Sequence, residues 1–446
     1  MYKKILIANR GEIALRILRT CRELGIHSVA VHSDADASSM HVRLADESVC
    51  IGAAHSRDSY LNIPALLTAA ELTGVDAIHP GIGFLAERAD FAQLVEEHGY
   101  HFIGPEAEHI TVMGDKVLAK QKATALGIPV VPGSEDVVHD IDTGARLAEH
   151  IGYPIILKAS AGGGGRGMKI VSNREELEAA FILCQSEALA AFGDQRIYIE
   201  KFLQHPRHIE VQIIGDGAGG AIHLGERDCS VQRRHQKVIE EACSPLITAE
   251  LRERIGNVAA NAAAKLGYRG LGTIEFLYED GQFYFIEMNT RLQIEHPVTE
   301  AVLGIDLVQM QIEAVANGRL TLAQEDVRFS GHAIECRINA EDPKNFMPSP
   351  GTVSAFHAPG GLGVRFDSHL YTGYQVPPYY DSLVGKLIVH ASDRDQCITR
   401  TLRALDEMIV EGIHTNAELH RRILTSEAFL HHHYDINWLE RWLEEA

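Results

Sequence analysis

The chain has 446 residues, 46% hydrophobic and 23% charged, a composition ordinary for a globular enzyme and a length too great for one core, so two or three domains are expected. Its 41 Lys and Arg against 61 Asp and Glu give a formal net charge of -20, which argues against nucleic acid and anionic membranes as partners; an anionic ligand here needs a local basic cluster. The scattered cysteines (Cys21, Cys50, Cys184, Cys229, Cys243, Cys336, Cys397) lack C-x-x-C spacing, which indicates neither a disulfide framework nor structural zinc, and the absence of a signal-type leader or a long apolar run points to a cytoplasmic protein.

In chain order, Lys4 to Ala8 reads as a strand, Gly11 to Leu24 as an amphipathic helix and Ser28 to His32 as a second strand, a βαβ unit. The pattern recurs through Ala77 to His79, so the region to about residue 115 is expected to be an open parallel α/β sheet of roughly five strands. Asn9-Arg10-Gly11 lacks G-x-G-x-x-G spacing, which disfavours a dinucleotide site. The glycines of Pro80-Gly81-Ile82-Gly83-Phe84 either let backbone approach a ligand or simply make a turn.

Val130 to Ser134 marks a boundary before a small α+β insert ending near Leu203. Within it Lys158-Ala159-Ser160-Ala161 leads into Gly162 to Gly165, then Arg166-Gly167-Met168. A Walker A loop would continue into Lys-Ser/Thr and a helix, but Pro154 to Leu157 and Met168 to Val171 both read as strands, so the run is a glycine-rich hairpin flap whose bare amides can close over phosphates beside Lys158. A flexible solvent loop is the alternative, and it leaves the bracketing lysine and arginine unexplained. Tyr198 to Phe202 is a further strand, an edge strand by pattern.

Ser230 to Lys237 concentrates positive charge, with Gln232, Arg234 and Gln236 on one strand face and Arg233, His235 and Lys237 on the other; without interleaved aromatics it fits a nucleotide or small-anion pocket better than nucleic acid. Thr273 to Leu277 and Phe283 to Glu287 flank Tyr278-Glu279-Asp280-Gly281-Gln282, a hairpin. A two-residue turn at Asp280-Gly281 would send Glu275 and Glu287 to opposite faces, whereas a three-residue loop with Gly281 in a G1 bulge puts them together; the bulged form is expected. Two carboxylates plus Asn289 then make an all-oxygen site for Mg²⁺ or Mn²⁺, without which such carboxylates repel.

From Glu287 to Glu295 the row E-M-N-T-R-L-Q-I-E places Glu287, Asn289, Arg291, Gln293 and Glu295 at every second position, on one face if the segment is a strand. Such a row can hold a metal and an anion together; a solvated face laced with ion pairs is the alternative. His332 to Asn339 is another strand, whose Arg337 is either an anion or enolate partner or half of a salt bridge with Glu335 or Asp342. His431-His432-His433 reads as a surface tail segment.

With these residues in hand, the chain resembles the biotin carboxylase family of ATP-grasp enzymes. The motifs K-A-S-A-G-G-G-G-R-G-M, E-R-D-C-S-V-Q-R-R-H-Q-K, F-I-E-M-N-T-R-L-Q-I-E-H-P-V-T-E and H-A-I-E-C-R-I-N-A-E-D-P stand in family order over essentially the whole chain. The resemblance implies a multidomain α/β and α+β architecture: an N-terminal α/β domain (1–115), a linker helix (116–131), an ATP-grasp lid (132–203) and a C-terminal catalytic ATP-grasp domain (204–446). It assigns Lys116, Lys158, Gly164, Gly165, Glu200, Lys201, Leu203, His208, Gln232 and His235 to ATP, and Glu275, Glu287 and Asn289 to two magnesium or manganese ions. Lys237, Arg291, Gln293 and Ile294 would cradle bicarbonate, Glu295 would be its base, and Arg337 would stabilise the biotin enolate. Biotin would be the substrate, carried by a separate biotin carboxyl carrier protein, because the chain has neither a Met-Lys-Met carrier motif nor a carboxyltransferase domain; carboxyltransferase subunits would be partners too. A homodimer is expected, with acetyl-CoA carboxylase and fatty acid biosynthesis as the setting, and pyruvate or another acyl carboxylase, or a different ATP-grasp carboxylate ligase, as alternatives. Ile82 and Ala86-Glu87-Arg88 depart from the usual Tyr and Ser-Glu-Asn beside the biotin pocket, Ala161 shortens the glycine run by one, and Cys243 stands where proline is common.

Overall fold

The computed structural model describes residues 1–134, 136–159 and 168–445. They fall into two compact units, one of Met1–Ile128, Arg207–Leu277 and Ile286–Ala446, the other of Pro129–Pro206 and Tyr278–Phe285.

The first unit opens with a five-stranded parallel sheet in the order Glu47–Gly52, His27–Ser33, Lys4–Ile7, Ala77–His79, His101–Phe102. Its central strand reads Lys-Ile-Leu-Ile because both faces are covered: Ile5 and Ile7 pack with Ile13, Ile17 and Leu18 of the helix Gly11–Glu23, while Leu6 packs the other way with Val29, Ile78, Phe91 and Phe102. Each such fully buried aliphatic side chain contributes roughly 1.5–3 kcal/mol. At the sheet's C-terminal end, Asn9 Nδ2 donates to the carbonyls of Pro80 (2.8 Å) and Ile82 (2.7 Å) and straps down the 80–84 loop. Gly81 there is left-handed (φ 66°), and a Cβ on it would lie 2.8 Å from the Asn9 amide, so glycine is required by the close approach. Ile82, Gly83 and Phe84 also line a second cavity of about 480 Å³ with Arg10, Arg291, Ile294 and Tyr380, so the loop is both a turn and a wall.

The larger sheet has eight strands, in the order Gln282–Asn289, Arg269–Glu279, Arg207–Asp216, Ala221–Arg233, Gln236–Ala242, His332–Asn339, Leu383–Ala391, Val364–Ser368. Period-two alternation sorts its residues. Ile334, Cys336 and Ile338 face an apolar cluster with Leu387, Ile398 and Leu405, whereas Ala333 faces Val298 and Val302 of the helix His296–Leu303, and Glu335 and Arg337 share its side. One face of the sheet is thus a hydrophobic core and the other carries buried charge.

The second unit is a three-stranded antiparallel sheet, Met168–Val171, Ile155–Ala159, Ile197–Lys201, with the helices Ile141–Ile151 and Arg174–Phe192. Both helix starts are capped, by Asp140 accepting from Thr143 N (2.8 Å) and by Asn173 accepting from Glu175 N and Glu176 N. Ile155, Leu157, Val171, Leu177, Phe181, Ile197 and Ile199 form its core. Ile156 and Lys158 alternate outward from these. The strands flanking the glycine run pair as a hairpin, as the sequence implies; Gly164 and Gly165 themselves lie outside the described residues.

Three local expectations are corrected. Gln232 to Lys237 is not one strand: it turns at Arg234 and His235, both at positive φ (50° and 61°), so Gln232 and Lys237 are cross-strand partners on one side. The hairpin at 280–281 is the tight two-residue form, with φ of 48° at Asp280 and 79° at Gly281 and strands running to Glu279 and from Gln282, and no G1 loop forms. The strand after it ends at Asn289; residues 290–295 are irregular and the helix begins at His296, its first turn carrying Pro297, which needs no N–H partner there.

Candidate active site

The charged face of the first unit opens on a cavity of about 710 Å³ lined by Lys116, His208, Gln232, His235, Lys237, Glu275, Glu287, Asn289, Arg291, Gln293, Ile294, Glu295 and Arg337. The whole Glu287–Glu295 row therefore converges, although only Glu287 and Asn289 sit on a strand. Glu275 and Glu287 both line the cavity, although the hairpin between them has the two-residue turn expected to send them to opposite faces.

Lys237 is the hub. Its Nζ reaches the carboxylates of Glu210, Glu275 (3.1 Å) and Glu295 (2.7 Å). Glu275 also accepts from Asn289 Nδ2 (2.8 Å) and Gln293 Nε2 (3.0 Å) and lies 3.0 Å from His208 Nε2. Burial opposes the charge on Glu275, yet Lys237 and His208 hold its carboxyl well below the usual range. Burial likewise opposes the imidazolium of His208, but Glu275 and Glu210 push it up to about 9. The Gln232 amide lies 3.0 Å from His208 Nδ1 and donates to the carbonyl of Cys229 (2.8 Å), packing against the ring from behind.

Arg337 is held at both ends of its fork, Nε to Glu240 Oε1 (2.5 Å) and Nη2 to Glu295 Oε2 (2.9 Å), so its ion pairs are with these two residues and not with Glu335 or Asp342. Burial works against the charge of Glu295, but Lys237, Arg337 and Arg227 outweigh it and keep the carboxyl ionised at neutral pH, a proton acceptor already in place. Arg291 donates Nε to Glu87 Oε2 (2.8 Å) and Nη2 to Asn289 Oδ1 (2.9 Å). Beneath them Arg227, fully buried, ties Glu210, Gln212, Thr273 and Thr299 together and donates to Gln293 Oε1 (2.6 Å), which orients that amide.

Glu287 stands apart. It is half-buried, makes no hydrogen bond or ion pair with any described residue, and is pushed up by burial and by the neighbouring Glu275. A carboxylate left in that state beside another lacks a cation, and the donors at hand, Glu275, Glu287 and the Asn289 amide oxygen, are the hard oxygens that Mg²⁺ or Mn²⁺ takes. The residues fit such an ion.

The remaining expected residues belong to the second unit. Lys158 Nζ is paired with Glu200 Oε2 at 2.6 Å, Lys201 Nζ donates to the carbonyls of Gly152 (2.9 Å) and Tyr153 (3.1 Å), and Leu203 is buried. Sequence reading missed Glu87, Glu210, Arg227 and Glu240. Glu210 carried a usable signal, since His208, Glu210 and Gln212 also stand at every second position of an apolar strand. Glu87 and Glu240 lie 204 and 97 residues from the arginines they hold, which no local pattern reveals.

Three family models match the chain: biotin carboxylase N-terminal domain over residues 1–110, the ATP binding domain of carbamoyl-phosphate synthase L chain over 115–323, and biotin carboxylase C-terminal domain over 335–441. The chain is 58% identical over 444 residues to the biotin carboxylase of Pseudomonas aeruginosa, covering 99% of each. It is 51% identical over 439 residues to a pyruvate carboxylase subunit of Methanothermobacter thermautotrophicus, covering 97% of this chain and 89% of that one. Among solved structures, the biotin carboxylase domain dimer of Hydrogenobacter thermophilus 2-oxoglutarate carboxylase, in complex with MgADP, ADP and bicarbonate, superposes with a TM-score of 0.88 at 47% identity, covering 99% of this chain and 98% of that one. On this likeness the chain belongs to the biotin carboxylase family of ATP-grasp enzymes and is an ATP-dependent C–N ligase.

Proposed function

We propose that the protein carboxylates biotin borne on a separate biotin carboxyl carrier protein, through carboxyphosphate, as the first half-reaction of an acyl carboxylase, most simply acetyl-CoA carboxylase, and that it does so as a cytoplasmic homodimer with carboxyltransferase subunits as further partners. The observation that carries this reading is the convergence of Lys237, Arg291, Gln293, Glu295 and Arg337 on one cavity beside Glu275 and Asn289. Nucleotide binding alone does not require that second set. Among the described residues no helix is long and apolar enough to cross a membrane.

Bicarbonate is a poor electrophile and must be activated. In this reading Arg291 grips the planar anion with its fork and Lys237 adds a point charge, while Glu295, kept ionised by the cations around it, takes the bicarbonate proton. The freed oxygen attacks the γ-phosphorus of ATP, ADP leaves, and carboxyphosphate forms. A bound Mg²⁺ or Mn²⁺ at Glu275, Glu287 and Asn289 supplies charge neutralisation for the nucleotide phosphates. Lys116, His208, Gln232 and His235 of the first unit, and Lys158, Gly164, Gly165, Glu200, Lys201 and Leu203 of the second, are assigned to the nucleotide, with Ile294 completing the bicarbonate cradle. Carboxyphosphate yields CO₂ and phosphate; the phosphate removes the ureido proton of biotin, and Arg337 stabilises the enolate that results.

The purified protein should hydrolyse ATP only with bicarbonate present and form carboxybiotin from free biotin. Product that forms on an amino acid without biotin would sink this reading in favour of a different ATP-grasp ligase. The likeness to the 2-oxoglutarate carboxylase domain and to a component of pyruvate carboxylase favours a second setting, another acyl carboxylase. Identifying the biotinylated protein that co-purifies with the chain, and the acyl acceptor that protein serves, separates the two.

A further inference from the structure

Behind Arg337 lies a pair of carboxyl groups that the chemistry above does not use. Glu240 and Glu335 are directly opposite each other in the antiparallel ladder between Gln236–Ala242 and His332–Asn339, so their side chains leave the same face of the sheet, and both are fully buried. Glu240 Oε1 accepts from Arg337 Nε (2.5 Å); its other oxygen and both oxygens of Glu335 have no hydrogen-bond partner among the described residues. The cations near them are already claimed. Arg337 spends its remaining contact on Glu295 (2.9 Å), and Lys386, fully buried, donates to the carbonyl of Ile294 (2.8 Å) and lies 3.2 Å from Glu12. Lys237 serves Glu210, Glu275 and Glu295, and Asp367, opposite Lys386 on the next strand, is bound to Arg365. Glu295, ionised, adds to the negative charge on both, and the thiols of Cys229 and Cys336 nearby are pushed up by burial and stay neutral.

Two like charges facing each other across a ladder, out of water and with one cation between them, are not both sustained. We infer that Glu240 and Glu335 share a single proton, Glu335 as carboxylic acid and Glu240 as carboxylate, and that this pair is a positioning device for Arg337. This rests on the reading of Arg337 as the group that meets the biotin enolate. Burial, only partly offset by Arg337, pushes Glu240 up to about 7, and burial, only partly offset by Lys386, pushes Glu335 well above the usual carboxylate range.

With one proton on the pair, Glu240 holds Nε from behind while Glu295 holds Nη2, and the guanidinium stays on the cavity wall. Loss of that proton at alkaline pH doubles the charge behind Arg337 and draws it back; a second proton at acid pH releases it to Glu295. The kcat/KM for biotin should therefore peak while the pair holds one proton and fall as pH rises past its loss.

The test is infrared spectroscopy of the full chain together with a pH profile. At neutral pH the wild-type protein should show a carbonyl stretch from a protonated, buried carboxyl that Glu335→Gln removes and Glu335→Asp shifts. Glu335→Gln, fixed in the neutral form, should move the alkaline limb of kcat/KM for biotin to higher pH, and Glu335→Asp should restore it. Glu240→Gln, which loses the anionic anchor, should lower kcat/KM for biotin about 100-fold, the cost of a roughly 1 Å misplacement. A wild-type spectrum without any protonated-carboxyl band at neutral pH overturns the shared proton, whether or not the variants fold, as does a band unchanged in both Glu335 variants. A Glu335→Gln profile that superimposes on wild type overturns the positioning role. Failure of the wild-type chain to carboxylate biotin would defeat the functional reading and leave the band in place, so the two failures are told apart.

Discussion

The two units of the chain handle charge in opposite ways. At the centre of the cavity of the first, one cation is shared among buried carboxylates: Lys237, with a side chain 14% exposed, serves Glu210, Glu275 and Glu295, whose side chains are 0%, 6% and 2% exposed. In the second, Lys158 is 30% exposed and has one carboxylate partner, and Lys201 spends its ammonium on backbone carbonyls. The first arrangement is pre-organised, because no member can leave without stranding several charges away from water; the second is more adaptable, because its lysines are partly solvated and Lys158 holds one carboxylate rather than three. An enzyme that must hold a small planar anion in one pose and let a long flexible nucleotide come and go has use for both.

The sharpest way to break that contrast is to remove the hub. Lys237→Ala leaves three carboxylates converging without their common cation and should destabilise the protein by about 3–5 kcal/mol, the usual cost of breaking a buried pair from one side. Its kcat should fall about 10²–10³-fold, as for loss of a pre-organised donor. Thermal melting and steady-state kinetics measure both, and a melting temperature equal to wild type would show that the network is not the source of rigidity argued here.

A smaller effect is expected where the network reaches the surface. Glu87, its side chain 40% exposed, accepts from Arg291 Nε and from the backbone N–H of Thr290 (3.2 Å), and so aims the arginine without being buried itself. Glu87→Gln keeps the shape and loses the charge; kcat/KM for bicarbonate should drop about 100-fold through misaiming of Arg291. Stability should move by less than about 1 kcal/mol, the scale of a surface pair. A variant with unchanged kinetics would remove Glu87 from the site.

Much of this was open to a reader of the sequence, for reasons that differ by region. The βαβ start was legible because parallel strands covered on both faces must be apolar throughout and the helix between them needs one apolar stripe, which Ile13, Ile17, Leu18 and Cys21 supply. The convergence of residues 287 to 295 was legible for a partly wrong reason. The polar members of an irregular segment still have to face the cavity, so the period of two outlasted the strand, and the stop was marked only by Pro297. The turn at Arg234-His235 carried no Gly, Asn or Asp to announce two left-handed residues; hydrogen bonding between the flanking strands imposes it. At Asp280-Gly281 the local signal for a two-residue turn was right, and the expectation of a bulged loop rested on the need to bring Glu275 and Glu287 together rather than on the turn residues themselves.

The smallest effect closes the comparison from the other side. Lys158 Nζ meets Glu200 Oε2 at 2.6 Å on the outward face of a strand whose inward residues, Ile155 and Leu157, carry the packing of the second unit. The ammonium is 30% exposed but its partner Glu200 only 9%, so Lys158→Ala gives up a half-buried pair and a flexible stem while touching none of that core, and the stability change should be about 1–2 kcal/mol, below that of Lys237→Ala. Its kinetic signature should be confined to the nucleotide, with a raised KM for ATP and little change in the KM for bicarbonate, since the bicarbonate contacts proposed here all belong to the first unit. Differential scanning calorimetry beside the Lys237→Ala variant measures the first point, and paired substrate titrations the second. If Lys158→Ala melts as early as Lys237→Ala, the smaller unit depends on its single ion pair as the larger depends on its shared one, and the contrast between the two units does not hold.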